Sequence, residues 1–145
     1  MTYQMRSGQQ PDVEACVEIL RAWINETPWI SDLRTPDEQV VDWRGYFKHD
    51  LAWVAECNGR IIGFCSRGGD NINGLYVAPD WRNGGVGKSL LDAAKADRDW
   101  ITVWAYEENS EALKFYRREG LVEIGREVEE GSTLVDIEHR WTRRG

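Results

Sequence analysis

A single mixed α/β domain is the fold class this sequence predicts, and three observations predict it. Stretches that alternate apolar and polar residues trade places with stretches whose apolar residues recur every three to four positions, in the order strand, two helices, three strands, helix, strand, helix, two strands. Asn58-Gly59 separates two apolar, β-branched or aromatic runs, the strongest short hairpin signal a sequence offers. At 145 residues, with no internal repeat, linker or low-complexity tract, the chain is long enough for one core and short for two, so residues 1–145 form one domain.

Residues 2–6 alternate weakly and give a first strand, closed by the breaker run Ser7-Gly8-Gln9-Gln10-Pro11. Over residues 12–25, Val13, Cys16, Val17, Leu20, Trp23 and Ile24 fall on one stripe, that of a helix lying on a sheet. Residues 27–33 read as loop. Thr35 as cap, Pro36 at the first helical position and Glu38 closing a capping box start a second helix, which fades near residues 47–50. The hairpin strands follow at residues 51–57 and 60–66, and a further strand, residues 72–78, ends at Pro79. A helix over residues 86–98 buries Leu90, Leu91 and Ala94. Residues 100–106 form a strand, residues 109–119 a helix stopped by Gly120, and residues 121–128 and 133–141 a last hairpin around Glu129-Glu130-Gly131.

Hydrophobic residues make up 41% and charged residues 30% of the chain, ordinary values for a soluble globular protein, which excludes wholesale disorder and the fibrous classes. A net charge of −7 argues against a nonspecific nucleic-acid or anionic-membrane surface, because such surfaces need clustered Lys and Arg, and it suits a cationic partner such as an amine. The opening MTYQMRSGQQ lacks the apolar run of a secretory signal, and no stretch reaches the length of a membrane span, so the expected location is cytoplasmic. Cys16, Cys57 and Cys65 are odd in number and share no metal-type spacing; they read as small buried hydrophobes, and with His49 and His139 isolated no metal site is expected. Eight Trp residues read first as core filling.

The loop NGGVGKS, residues 83–89, raises two chemistries that share one physics, bare backbone N–H groups at a helix N-terminus. A P-loop needs Gly, four intervening residues and then Gly-Lys-Ser, which puts the first Gly at position 82, and that position is Arg82; too little chain follows to finish a doubly wound sheet. The second chemistry is a site for the pyrophosphate of coenzyme A. Residues 75–91, LYVAPDWRNGGVGKSLL, resemble the cofactor segment of the GCN5-related N-acetyltransferase (GNAT) superfamily, whose pattern is Gln/Arg-x-x-Gly-x-Gly/Ala after a strand; Arg82, Gly85 and Gly87 fill it. Residues 109–121, NSEALKFYRREGL, look like the same superfamily's NxxAxxFYxxxGF helix, with Leu121 in place of the usual Phe. The resemblance spans residues 71–124, and the N-terminal third matches only in its helix pattern.

The resemblance implies a GNAT fold: a central, mostly antiparallel seven-stranded sheet with splayed middle strands and about four flanking helices. It implies acetyl-CoA as co-substrate and direct transfer of acetyl to a primary amine. The same fold also suits a non-catalytic acyl-CoA-binding or sensor module. Gly85 and Gly87 leave the backbone bare, so N–H groups from Asn83, Gly84, Gly85, Val86, Gly87 and Lys88 can surround a pyrophosphate on the positive end of the helix dipole. By resemblance, Leu75, Tyr76 and Val77 end a strand whose main chain binds pantetheine and supplies an oxyanion donor, and Arg82 and Asn109 join the cofactor site. Tyr116, two helical turns from Asn109 and so on its face, is implied as the acid that protonates the departing thiolate. Where relatives carry a Glu base this chain has Asn71 and Trp104, which cannot serve; Asp70, Glu56 or water remain as candidates. The acceptor, a small-molecule or peptide amine, is expected against the N-terminal helices and the loop at residues 27–33, where Trp23, Trp29 and Trp43 make either an aromatic wall or the packing between helices. The final hairpin's edges suit pairing in a homodimer.

Overall fold

A computed structural model describes residues 2–30 and 34–144. Its strands are β1 (Gln4–Ser7), β2 (Leu51–Cys57), β3 (Arg60–Gly68), β4 (Asn71–Val77), β5 (Trp100–Tyr106), β6 (Val122–Val128) and β7 (Val135–Thr142). Its helices are α1 (Val13–Asn25), α2 (Pro36–His49), α3 (Val86–Lys95) and α4 (Ser110–Arg118), and the order along the chain is the one the periodicities predict. Ser31, Asp32 and Leu33, the end of the expected acceptor loop, lie outside the described residues.

The signals that started each element act locally. Thr35 and Glu38 form the expected capping box, Glu38 N–H donating to Thr35 Oγ1 at 3.1 Å and Thr35 N–H to Glu38 Oε1 at 2.8 Å. Asn58 (φ 51°) and Gly59 (φ 80°) turn the β2–β3 hairpin through two left-handed residues, the geometry that matches strand twist. The third helix is shorter than residues 86–98. It tightens into i−3 bonds, Ala96 N–H to Ala93 O and Arg98 N–H to Lys95 O, and the Arg143 guanidinium donates to the carbonyls of Lys95, Ala96 and Arg98. Those bonds satisfy the last carbonyls without a further turn.

The strands make one seven-stranded sheet in the order β1-β2-β3-β4-β5-β7-β6. Every neighbouring pair is antiparallel except β4 and β5, which are parallel and meet through one bridging pair, Asn71 and Thr102. A mostly antiparallel sheet removes the doubly wound frame that a P-loop nucleotide site needs. Beyond Asn71 the two middle strands diverge toward their C-terminal ends. The start of the gap is clasped: Thr102 Oγ1 donates to Asn71 Oδ1 at 3.0 Å and Thr102 N–H to Asp70 O at 2.8 Å.

Side chains alternate between two cores. Ala55, Cys65, Ile101, Val103 and Ala105 face α3 and α4, where Leu90, Leu91, Ala94 and Tyr116 meet them. Val54, Phe64 and Tyr76 face α1 and α2, where Cys16, Leu20 and Trp43 meet them. Trp43 lies with its ring centroid 5.0 Å from Phe64, and a Cβ added at Gly74 would come within 2.8 Å of it; Trp43 belongs to the helix-to-sheet packing and not to an aromatic wall.

Candidate functional site

The gap between β4 and β5 opens into a cleft of about 1180 Å³. One end is the loop before α3. A short 3-10 turn, Pro79–Trp81, leads into Asn83 (φ 63°) and Gly85 (φ 90°), and Gly85 caps α3 with no side-chain acceptor. The first N–H groups of the helix are thus unclaimed by any capping side chain and lie beside the positive end of the dipole. Only glycine holds φ near +90° without strain, which makes Gly85 the conformational requirement of the loop. Gly87 is different: a Cβ there would sit 3.4 Å from the Phe115 ring, an ordinary contact.

Arg82, Asn83, Gly85, Gly87 and Lys88 line the cleft as the sequence suggests, together with Leu75, Tyr76, Val77 and Asn109. Two residues of the expected set do not. The side chain of Val86 is buried in the core, where helix packing claims it, and Gly84 is exposed and not part of the cleft lining. Arg82 is held by protein partners, donating to Val77 O at 3.2 Å and pairing with Glu26 at 2.8 Å, so it fastens the end of α1 to the end of β4. Lys88 is exposed and pairs with Asp92 and Glu119 at 3.1 and 3.3 Å. Tyr3, which no local pattern marks, braces the loop from β1: its hydroxyl donates to Gly85 O at 3.2 Å and lies 2.7 Å from Ser89 Oγ.

On the opposite wall, Asn109 caps α4, its Oδ1 accepting from Ala112 N–H at 3.2 Å. Tyr116 is only 6% exposed, and its hydroxyl has no hydrogen-bond partner among the described residues although it borders the cleft. Burial, with the Cys65 and Tyr76 side chains adding, pushes the phenol well above its ordinary value, so it stays protonated and keeps an O–H to donate. The buried thiols are no rivals as nucleophiles. Burial pushes Cys65 up to about 12 and Cys16 higher still.

Both carboxylates considered as bases lie elsewhere. Asp70 sits in the β3–β4 turn, 3.2 Å from Arg98, and Glu56 pairs with Arg6 on the β1–β2 side at 3.1 Å; neither lines the cleft. Each already has a cation, Arg98 for Asp70 and Arg6 for Glu56. Asn71 is spent on the clasp to Thr102.

The other end of the cleft is aromatic and acidic. The Trp23 and Trp29 centroids are 6.2 Å apart; Trp23 lies 5.5 Å from Tyr76 and Trp29 lies 5.8 Å from Tyr106. Beyond them stand Glu129 and Asp136, which sequence reasoning missed. Tyr106 donates from its hydroxyl to Glu129 Oε1 at 3.1 Å, and burial beside that carboxylate pushes it up to about 12. Asp136 is the β7 residue paired with Tyr106 across β5 and β7. Burial, then Glu129 and Glu127, raise its carboxyl above the usual range. Alternation in residues 135–142 marks Asp136 only as one polar strand position; the pairing of distant strands brings it to the cleft.

A family model described as an acetyltransferase (GNAT) domain matches residues 48–123, just over half of the chain. The chain belongs to the GNAT family. Among curated relatives, the peptidyl-lysine N-acetyltransferase YjaB of Salmonella typhimurium is 32% identical over 129 residues, covering 87% of this chain and 88% of that one. The peptidyl-lysine N-acetyltransferase YiaC of Escherichia coli is 26% identical over 125 residues, 80% of this chain and 81% of that one. The solution structure of apo-form YjaB from Escherichia coli shares the fold with a TM-score of 0.80 at 24% identity, over 97% of this chain and 98% of that chain. The putative acetyltransferase yncA from Salmonella typhimurium, solved with acetyl-CoA, does so with a TM-score of 0.77 at 17% identity, over 99% and 95%. In this GNAT domain the two matching sequence blocks form facing walls of one cleft. Among the described residues no His, Cys, Asp and Glu group could hold a metal ion, and no helix is long and apolar enough to cross a membrane.

Proposed function

We propose that this GNAT protein transfers the acetyl group of acetyl-CoA directly to the ε-amino group of a lysine in a peptide or protein. One observation carries the reading: a single cleft has the uncapped N-terminus of α3 at one end, an aromatic and acidic mouth at the other, and the unpartnered Tyr116 hydroxyl in its wall. The N–H groups around Gly85 and Gly87 suit the pyrophosphate, and the edge of β4 that faces the gap, unpaired beyond Asn71, suits pantetheine as an added strand. A lysine side chain suits the mouth, its methylenes on Trp23 and Trp29 and its ammonium toward the carboxylates. The curated relatives named for peptidyl-lysine acetylation support the same acceptor class.

Attack by a neutral amine on the thioester carbonyl makes a tetrahedral adduct, and its collapse leaves charge on sulfur. Tyr116 is arranged to meet that charge. A phenol whose ionisation burial opposes is a firm hydrogen-bond donor, so it stabilises sulfur as the C–S bond breaks while remaining neutral in the resting state. Deeply buried Cys65 and Cys16 support direct transfer over an acyl-cysteine route.

The test follows free thiol release from acetyl-CoA with lysine-containing peptides. Wild-type protein is expected to turn over, and Tyr116→Phe to lower kcat by ~10²-fold or more while changing acetyl-CoA affinity less than about twofold. Cofactor binding with no turnover on any amine would favour a sensor; equal losses of turnover and affinity would remove Tyr116 from the chemistry.

A further inference from the structure

We propose that Asp136 receives the acceptor's ammonium group and takes its proton, the role that Asp70, Glu56, Asn71 and Trp104 cannot fill. The inference rests on the lysine-acetylating reading above. Its basis is the state of the carboxylates that line the cleft. Glu26 is matched by Arg82 and Glu119 by Lys88, Glu129 accepts from Tyr106, and Glu108 and Glu111 are exposed to water. Asp136 borders the same cavity, is partly buried, and pairs with no basic side chain among the described residues. Nearby charge is of its own sign, Glu127 and Glu129 from β6 and the turn after it, while β5 contributes the neutral Tyr106. A desolvated carboxylate among like charges is unfavourable unless a cation visits. Trp29, against Tyr106, supplies an aromatic face for the same cation. Tyr116, 6% exposed as a residue and with no hydrogen-bond partner for its hydroxyl among the described residues, borders the same cavity and is a second sign that this space is built for a ligand.

The need is quantitative. A lysine amine with a pKa of about 10.4 is neutral in only about one molecule in ~10³ near pH 7, so a nearby acceptor for its proton governs the rate. The ammonium gives one proton to the Asp136 carboxylate, which passes it to solvent. The freed nitrogen pair forms the N–C bond at the thioester carbonyl. As the C–S bond breaks, the second proton leaves nitrogen while Tyr116 gives its own to sulfur and regains one through water. The products are the amide, the CoA thiol and one proton released to solvent.

Raised carboxyl pKa in the folded state means that ionised Asp136 opposes folding as pH rises through that value, so Asp136→Asn leaves stability at neutral pH equal or higher. Loss of activity in this variant then reports chemistry and not misfolding. For Asp136→Asn, kcat/KM toward a singly lysine-containing capped peptide is expected to fall ~10²-fold at pH 7. The deficit should shrink toward pH 10, where the amine arrives neutral, acetyl-CoA affinity should be unchanged, and Asp136→Glu should restore part of the rate. Calorimetry on CoA-loaded protein separates this from the broader function. The lysine peptide should bind ~10-fold more weakly to Asp136→Asn, and a norleucine peptide equally to both forms. Wild-type binding of the lysine peptide without turnover would sink the acetylation reading and leave Asp136 as the ammonium site. Turnover and binding in Asp136→Asn matching wild type at every pH, or an equal loss for the norleucine peptide, would overturn the assignment.

Discussion

The two ends of the cleft are built by different rules. At the proposed cofactor end, Arg82, Asn83, Gly85, Gly87 and Lys88 come from one short loop and helix start, and Asn109 and Tyr116 lie two helical turns apart, so local chain geometry places most of these groups. At the acceptor end, Trp23 and Trp29 come from α1 and the chain after it, Tyr106 from β5, Glu129 from the turn after β6 and Asp136 from β7, and only strand pairing and helix packing bring them together. A loop-and-helix device can be preserved as a unit, whereas an assembled mouth can change one residue at a time. On the proposed function, the loop-and-helix end holds the cofactor, and the assembled end receives the substrate and its proton.

That division can be broken by substitution, and the largest effect belongs to the loop. Gly85→Val places a β-branched side chain at φ 90°, costing about 1–2 kcal/mol of backbone strain and disturbing the N–H groups at the start of α3. Acetyl-CoA affinity measured by calorimetry should fall by ~10-fold or more while peptide binding to any residual CoA complex stays unchanged. Unaltered cofactor affinity would mean the loop is only a turn. Next in size is the mouth. Trp29→Ala removes the ring against Tyr106 and Trp23 and should raise KM for a lysine peptide by ~5- to 30-fold, a cation–π and burial loss of about 1–2 kcal/mol. Here kcat and acetyl-CoA affinity should hold; a parallel loss in cofactor affinity would show that the two ends are not separable.

The same division explains what the sequence made legible. Element order, the Thr35–Glu38 capping box and the Asn58-Gly59 turn were readable because each depends on neighbours within four residues. The turn from Arg82 to Gly85 into a helix was readable for that reason too. Illegible features depend on contacts between distant segments: Tyr3 bracing Gly85 across 82 residues, Arg143 ending α3, and Asp136 meeting Tyr106 through the β5–β7 ladder. Trp43 shows the limit from the other side. The sequence left it between an aromatic wall and the packing of helices, and only its packing on Phe64 places it in the core.

The smallest effect concerns the hinge between the two ends. Asn71 stands where the sequence resemblance implies an acidic base, yet its Oδ1 accepts from Thr102 Oγ1 at the single bridge from which β4 and β5 diverge. If the residue is structural, Asn71→Ala should cost about 1 kcal/mol by leaving the mostly buried Thr102 hydroxyl unpaired. Thermal unfolding should then shift down by roughly 3 °C for a domain of this size, with the pH dependence of kcat/KM unchanged. Thr102→Val should cost less, because it exchanges the hydroxyl for an apolar group of similar shape and leaves the half-exposed Asn71 to water. A changed pH profile in Asn71→Ala with full stability would instead place Asn71 in the proton path, and would move the boundary between cofactor end and acceptor end to the bridge itself.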